Sequence, residues 1–236
     1  GVQAGALCVM GSMPPGCPDS TYADIYRKVA TAETLCLIDS VNGLEPLLAT
    51  IRETNSRGPT ILKINASELC KLSGVSKSRS ETGGVLSNEL IEAIYAFLKK
   101  YNAKDALSAI AVTDGAHPAH MAVLGHEDKE FRLFQLPVAD LEDDKFITLF
   151  PIGAGDSVAA GTLAAWKSLV SKEPSLPSEI HQALQGNESP SSRVMLAAFA
   201  FGLACGSASC LQEQNSVLKV EDALRLYNRE GRPAFI

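Results

Sequence analysis

The sequence has 236 residues, of which 46% are hydrophobic, 6% aromatic and 20% charged, and its formal net charge is -6 at pH 7. This length allows one large domain with a substantial core, and the aliphatic-rich, aromatic-poor composition suits an α/β protein. The negative charge, without a basic cluster of interleaved aromatic residues, argues against nucleic-acid binding. No apolar run approaches the roughly 18 residues that a membrane span requires.

The six cysteines are scattered in apolar contexts and form no Cys-x-x-Cys pair. Such cysteines are typical core or incidental thiols of a reducing compartment. The sequence therefore predicts a soluble, cytoplasmic protein.

The first half of the chain alternates short apolar runs with amphipathic segments. Short apolar runs are typical of strands buried in a parallel sheet, and apolar residues at helical spacing are typical of helices packed on it. The predicted strands are Ala6–Met10, Leu35–Ile38, Thr60–Ile64 and Ala109–Thr113. The predicted helices are Ser20 (as cap) to about Ala32, Leu44–Thr54, the short turn Ser67–Leu72, and Asn88–Tyr101.

The second half begins with a predicted hairpin and ends in helices. The hairpin strands are Met121–Leu124 and Phe131–Leu136, preceded by a predicted surface loop that contains His117, Pro118 and His120. A β-prone run, Ile147–Leu149, then leads through Pro151 into a helix that starts near Gly153, and the last predicted helices are Arg193–Leu211 and Val220–Arg229. Strands alternating with helices predict an α/β fold with a central, mostly parallel sheet flanked by helices.

Polar residues follow several of the predicted strands. Ser12, Asp39, Asn65, Thr113 and Asp156 lie just beyond strands or at loop ends, where open α/β sheets bind ligands. Singly, each residue is well explained as a turn or a cap. Jointly, they favour a ligand site.

The stretch Thr148–Trp166 contains the strongest chemical signal. Its glycine-rich turn, Gly153-Ala154-Gly155-Asp156, feeds a helix, and the unpaired N–H groups and dipole of a helix N-terminus bind anions. Asp156 is either a simple helix-terminal acid or a base beside an anion hole. The spacing matches neither of the two common glycine-rich nucleotide loops.

Four motifs, in order, resemble those of the ribokinase-like (PfkB) carbohydrate kinases. They are the Gly153–Asp156 turn with its small-residue helix, the Gly11–Gly16 turn (Gly-Ser-Met-Pro-Pro-Gly), Asn65-Ala66-Ser67-Glu68, and Thr113-Asp114-Gly115. The Gly11–Gly16 turn is most similar to that of the 1-phosphofructokinase and tagatose-6-phosphate kinase branch. The resemblance extends over the whole chain and implies a ribokinase-like fold.

The resemblance implies an ATP-dependent sugar kinase. Asp156 would be the general base that takes the proton from the sugar hydroxyl. The N–H groups of Ala154, Gly155 and Asp156, with Gly153 permitting the turn, would form the anion hole for the transferred phosphoryl group.

It also assigns the remaining ligand groups. Asn65 and Glu68 would hold Mg²⁺ largely through water. Lys63, Thr113 and Gly115 would contact the nucleotide, the Arg193–Leu211 helix would wall the adenine, and Ser12 with Gly11 would lie close to a fructose or tagatose phosphate.

Several of these residues equally suit purely structural roles. Asn65 and Glu68 have the spacing of a capping box, and Lys63 has the position of a solvated charge at a strand end. Pro118 and Phe150 depart from the family's motifs at a nucleotide-loop glycine and at an acidic or amide position. The alternative functions are a kinase for an unphosphorylated sugar, a nucleoside or a vitamin precursor, and a catalytically silent nucleotide-binding or interaction module.

The resemblance further implies that residues 1–236 are the C-terminal portion of a single kinase domain. The N-terminal strands and lid that the family places before the Gly11–Gly16 turn are absent from the sequence. We therefore expect an unpaired sheet edge that favours association, for example as a homodimer, and we expect MgATP binding with very poor turnover by this chain.

Overall fold

The computed structural model describes residues 5–54, 58–78, 83–125, 130–141, 148–171, 189–230 and 234–235. Strands and helices alternate along the chain, with one short 3₁₀ turn at Ala103–Asp105. The strands are β1 (Ala6–Met10), β2 (Leu35–Asp39), β3 (Thr60–Asn65), β4 (Ala109–Asp114), β5 (His117–Leu124), β6 (Phe131–Leu136) and β7 (Ala234–Phe235). The helices are α1 (Thr21–Val29), α2 (Leu44–Glu53), α3 (Ala66–Ser73), α4 (Ser87–Lys100), α5 (Ala154–Ser171), α6 (Pro190–Ser209) and α7 (Val220–Glu230).

Parallel pairing joins the first four strands. β1 pairs with β2, β2 with β3, and β3 with β4, each in parallel, and the order of strands in the sheet follows the chain from β1 to β7. β6 and β7 pair antiparallel. The predicted α/β fold, a mostly parallel sheet flanked by helices, is confirmed.

The chain divides into two compact units. The first unit comprises Gly1–Asp114 and Ala122–Arg132, and the second comprises Gly115–Met121 and Leu133–Ile236. In the first unit, the central strands β2 and β3 are buried from Leu35 to Ile38 and from Thr60 to Ile64. Strands buried on both faces read as continuous apolar runs, and these runs made the sequence prediction possible.

Close packing of two helices forms the core of the second unit. α6 has the length and apolar composition of a membrane span, but 78% of its most apolar window is buried within the structure. Glycines let it approach α5: a Cβ built on Gly202 would lie 2.6 Å from the carbonyl oxygen of Val158 and 3.0 Å from the amide nitrogen of Thr162. α6 is therefore a core helix whose backbone lies directly against that of α5.

Three local predictions are wrong. α1 ends at Val29 rather than near Ala32, and Ser20 makes no side-chain cap, because its hydroxyl donates to Asp24 Oδ2 at 3.0 Å. The predicted surface loop at His117–His120 is the start of β5, in which His120 is only 2% exposed. Residues 148–150 form no strand, and Ile147 lies outside the described residues.

We predict that Gly202→Ala destabilises the protein by about 1–3 kcal/mol, because the added methyl group meets backbone atoms of α5 that cannot rotate away. The measurement is chemical denaturation followed by circular dichroism. Ala160→Ser, at an exposed position of α5, is the control and should change the free energy of unfolding by less than about 0.5 kcal/mol. An unchanged stability of Gly202→Ala would contradict the packing described for these helices.

Candidate functional site

The turn before α5 has the backbone geometry of an anion site. Gly153 has φ +85°, a left-handed conformation that favours glycine, and α5 begins at the next residue. In the described residues, the N–H groups of Gly155 and Asp156 donate to no backbone acceptor, whereas the N–H of Ala154 donates to the carbonyl of Pro151 at 3.2 Å. Within the part of the chain that the structure describes, two of the three predicted anion-hole amides therefore have no backbone acceptor.

Two further polar side chains follow in the first turn of α5. Asp156 is exposed in the first turn of α5. The next residue, Ser157, is only 3% exposed, and its hydroxyl has no hydrogen-bond partner in the part of the chain that the structure describes. Among the described residues, an exposed carboxylate and two amides without a backbone acceptor at one helix start suit a phosphoryl group that supplies acceptor oxygens.

The segment that follows α6 supports this turn. Ser216 packs against Gly153, so that a Cβ on Gly153 would lie 2.7 Å from the amide nitrogen of Ser216. The Ser216 hydroxyl donates to the Gly153 carbonyl at 3.4 Å, and the N–H of Phe150 donates to the carbonyl of Cys210 at 2.8 Å. Position 153 must be glycine both for its backbone conformation and for lack of space.

In the first unit, Lys63 forms an ion pair that its position in the sequence did not indicate. Its ammonium group lies 2.8 Å from Oδ2 of Asp39, and the side chains of Lys63 and Asp39 are 6% and 17% exposed. The alternative of a solvated charge at a strand end is therefore wrong. The sequence marks Asp39 only as one of several polar residues beyond strands, and its partner follows from the adjacent, parallel β2 and β3.

The pKa of the Cys8 thiol is affected by both members of this ion pair. Partial burial of the Cys8 thiol is the main cause that raises its pKa to about 11. The carboxylate of Asp39 raises this pKa further, and the ammonium of Lys63 opposes both. Cys8 is exposed on β1, so reagents can reach it. Its raised pKa, however, keeps the fraction of the reactive thiolate low.

Asn65 and Glu68 form a capping box at the start of α3. The Asn65 side chain accepts from the N–H of Glu68 at 2.9 Å, and Oε2 of Glu68 accepts from the N–H of Asn65 at 3.1 Å. The capping alternative is thus confirmed. Asn65 is exposed and Glu68 is half-buried, so their oxygens remain accessible to a hydrated cation, and oxygen groups with retained waters suit Mg²⁺.

The remaining predicted site residues lie at the carboxyl ends of the parallel strands β1 to β4, except Gly115, which belongs to the second unit. Gly11, at φ +75°, donates its N–H to the carbonyl of Asp39 at 3.0 Å, and Ser12 next to it is exposed. Thr113 is half-buried and in register with Asn65. The parallel strands therefore bring together Gly11, Asp39, Lys63, Asn65 and Thr113 at one edge of the first unit. Gly115, at φ +62°, belongs to the second unit.

Several solved structures of low sequence identity are similar to this chain. Phosphofructokinase-2 from Escherichia coli in complex with potassium matches with a TM-score of 0.62 and 18% identity, over 98% of this chain and 59% of that chain. The same enzyme in complex with fructose-6-phosphate matches with a TM-score of 0.59 and 18% identity, over 98% and 58%. Ribokinase from Giardia lamblia matches with a TM-score of 0.53 and 12% identity, over 85% and 61%.

These likenesses establish the fold, since the identities are low. The chain spans about three fifths of the length of these similar chains. No curated protein sequence matches it significantly.

The sequence model of the family described as "pfkB family carbohydrate kinase" matches residues 2–219, which is most of the chain. The chain therefore belongs to the pfkB family of carbohydrate kinases.

Proposed function

We propose that this chain carries the phosphoryl-transfer groups of an ATP-dependent kinase that phosphorylates a hydroxyl of a ketohexose phosphate, such as a fructose or tagatose phosphate. The observation that carries the proposal is the start of α5. There the exposed carboxylate of Asp156 adjoins two free backbone amides behind a glycine whose conformation other residues rarely adopt. This combination offers a base and an anion hole within one helical turn.

In the proposed reaction, Asp156 accepts the proton of the sugar hydroxyl as that oxygen bonds to the γ-phosphorus of ATP. The bond between this phosphorus and the bridging oxygen of ADP breaks, and the proton remains on the Asp156 carboxyl group. The N–H groups of Gly155 and Asp156 stabilise the negative charge of the transferred group. Positioning and charge stabilisation account for most of the rate in such reactions.

The first unit supplies the charged groups for the nucleotide. Lys63 pairs with its phosphates, and Thr113 borders the nucleotide. Asn65 and Glu68 hold Mg²⁺ through water, and the bound ion neutralises phosphate charge. The oxygens of this pair suit a hydrated cation because they are accessible and already oriented by the capping box.

The sugar that is phosphorylated, the cellular location and the oligomeric state are inferred from less specific features. Ser12 and Gly11 would contact the sugar phosphate, because their turn resembles that of the hexose-phosphate branch, and E. coli phosphofructokinase-2 has been crystallised with fructose-6-phosphate. A cytoplasmic enzyme that associates as a homodimer fits this role.

A catalytically silent nucleotide-binding module is the second candidate. It is favoured by the internal partners of several proposed ligand groups: Lys63 with Asp39, Asn65 with Glu68, and the Ala154 amide with Pro151. A silent module would bind MgATP without sugar-dependent release of ADP.

We predict that Asp156→Asn lowers sugar-dependent ADP release by about 10²–10⁴-fold, because it removes the base, while the MgATP dissociation constant changes less than about threefold. ADP release is measured with a panel of sugar phosphates, free sugars and nucleosides. Asp222→Asn, which alters a first-turn acid of α7, is the matched control and should keep wild-type activity.

The outcomes separate the candidates. Equal activity of Asp156→Asn and the wild type would exclude Asp156 as the base. Preference for ribose or adenosine would exclude the hexose phosphate, and MgATP binding without ADP release on any acceptor would leave the silent module as the function.

We predict that Lys63→Met weakens MgATP binding by about 10-fold or more and destabilises the fold by about 3 kcal/mol, because the Lys63–Asp39 ion pair in this little-exposed site is lost. The double variant Asp39→Asn/Lys63→Met should recover most of the stability without recovering the binding. Calorimetric titration and thermal unfolding measure the two effects. Recovery of both by the double variant would show that Lys63 acts only in folding.

The ion pair can also be detected through Cys8. Because the Asp39 carboxylate raises the Cys8 pKa, Asp39→Asn should lower this pKa, increase the thiolate fraction at pH 8.5, and accelerate alkylation of Cys8 by iodoacetamide several-fold. In the wild type the rate should keep rising up to about pH 11. Quantification of the Cys8 peptide by mass spectrometry measures the rate, with the exposed Glu33→Gln as control. No acceleration in Asp39→Asn would contradict the described electrostatics.

A further inference from the structure

We propose that Ser216 is a positioning residue for the phosphate loop, which we define as Phe150–Asp156. It would hold the peptide between Gly153 and Ala154, and through it the free amides of Gly155 and Asp156, in the orientation that stabilises the transferred phosphoryl group. The inference rests on the proposed function.

The first observation is that this peptide is held at both ends. Its carbonyl oxygen, on Gly153, accepts from the Ser216 hydroxyl at 3.4 Å and from the N–H of Ser157 at 3.0 Å. Its N–H, on Ala154, donates to the carbonyl of Pro151 at 3.2 Å. Because a peptide unit is planar, fixing its oxygen and its N–H fixes the direction in which the chain enters α5. Ser216 is the only one of these partners that lies outside the loop and its helix.

The second observation is the backbone of Ser216 itself. In the described part of the chain, Asn102 and Ser216 are the two residues other than glycine with positive φ, at 47° and 58°. Asparagine tolerates this conformation well, whereas serine adopts it at a cost in energy. Such outliers persist where surrounding contacts impose them, and they concentrate at functional sites. Ser216 is an inner residue of the turn that the N–H of Val217 closes on the carbonyl of Gln214 at 3.4 Å, and Gly153, which is itself left-handed and leaves no space for a Cβ, packs against it.

The third observation is that the neighbouring residues hold the same loop. Cys210 accepts from the N–H of Phe150 at 2.8 Å, at the entrance of the loop. Gly206 lies so close to α5 that an added Cβ would be 3.1 Å from the carbonyl oxygen of Ala154. The segment Gly206–Ser216 therefore contacts the loop at its entrance, at its glycine and at the first residue of α5. Ser216 contributes the side-chain contact of the three.

Two substitutions at position 216 separate the effect of the serine hydroxyl from the effect of the backbone conformation. Ser216→Gly removes the hydroxyl and makes the left-handed conformation easier, so the fold should not lose stability. Ser216→Asn keeps a side-chain donor on a residue that tolerates this conformation, so it should restore the wild-type behaviour. Asn215→Gly places a glycine at the adjacent exposed position and controls for loop flexibility.

The primary measurement is hydrogen–deuterium exchange of the Phe150–Ser157 amides in the ligand-free chain. We expect exchange to be about 3- to 10-fold faster in Ser216→Gly, and close to wild type in Ser216→Asn and Asn215→Gly. Unchanged exchange in Ser216→Gly, or equally fast exchange in Asn215→Gly, would overturn the inference. This readout does not depend on catalysis.

The second measurement is the steady-state kinetics of sugar-dependent ADP release. Misplaced amides should lower kcat of Ser216→Gly by about 10-fold, with KM for the sugar phosphate and the melting temperature unchanged, and Ser216→Asn should recover kcat. Faster exchange with unchanged kcat would overturn the positioning role. Absence of ADP release from the wild type would overturn the proposed function instead, and the exchange data would still decide whether Ser216 holds the loop.

Discussion

Parallel pairing of β1 to β4 is the constraint on which the candidate site of the first unit depends. Each strand runs in the same direction, so its carboxyl end meets those of its neighbours at one edge. Residues separated by tens of positions thereby become neighbours: Met10 is in register with Asp39, and Asn65 with Thr113. The chemistry of this edge is thus set by which residue ends each strand, and short loops suffice to build it.

The sequence was sufficient to predict these strand ends, because buried parallel strands are continuous apolar runs with clear limits. It was less informative about what the polar residues contact. The Asn65–Glu68 capping box was predictable because both partners lie within one helical turn. The Lys63–Asp39 pair joins different strands, and only the register makes the two neighbours. One local signal existed: a lysine between Leu62 and Ile64 in a strand with no solvent face requires a buried counterion.

In the second unit, too, the features set by neighbouring residues were predictable from the sequence, whereas the contacts between distant residues were not. The glycine turn and the helix that follows were predictable from spacing alone. The start of α6 was also encoded, since Ser189 before Pro190 is a typical cap and first-turn pair, although apolar periodicity alone suggested a later start. The support of Gly153 by Ser216 was not predictable, because the two residues are 63 positions apart and their contact depends on how α6 packs on α5. The sequence does not place His120 correctly, because a nearby proline favours a turn, whereas Pro118 lies near the start of a strand.

The proposed ligand groups of the two units differ in which existing interactions they would lose when a ligand binds. The amides of Gly155 and Asp156 have no internal acceptor among the described residues, so an anion at the start of α5 displaces no existing bond there. Lys63 is already paired in a site with little exposure. If its ammonium turned to a phosphate, Asp39 would lose this ion pair in a site with little exposure, which is costly. In the proposed kinase, an anionic nucleotide would therefore compete with Asp39 for the Lys63 ammonium, and a divalent cation carried by the phosphates would offset the added negative charge. The proposal thus implies that nucleotide binding at this edge depends on the cation.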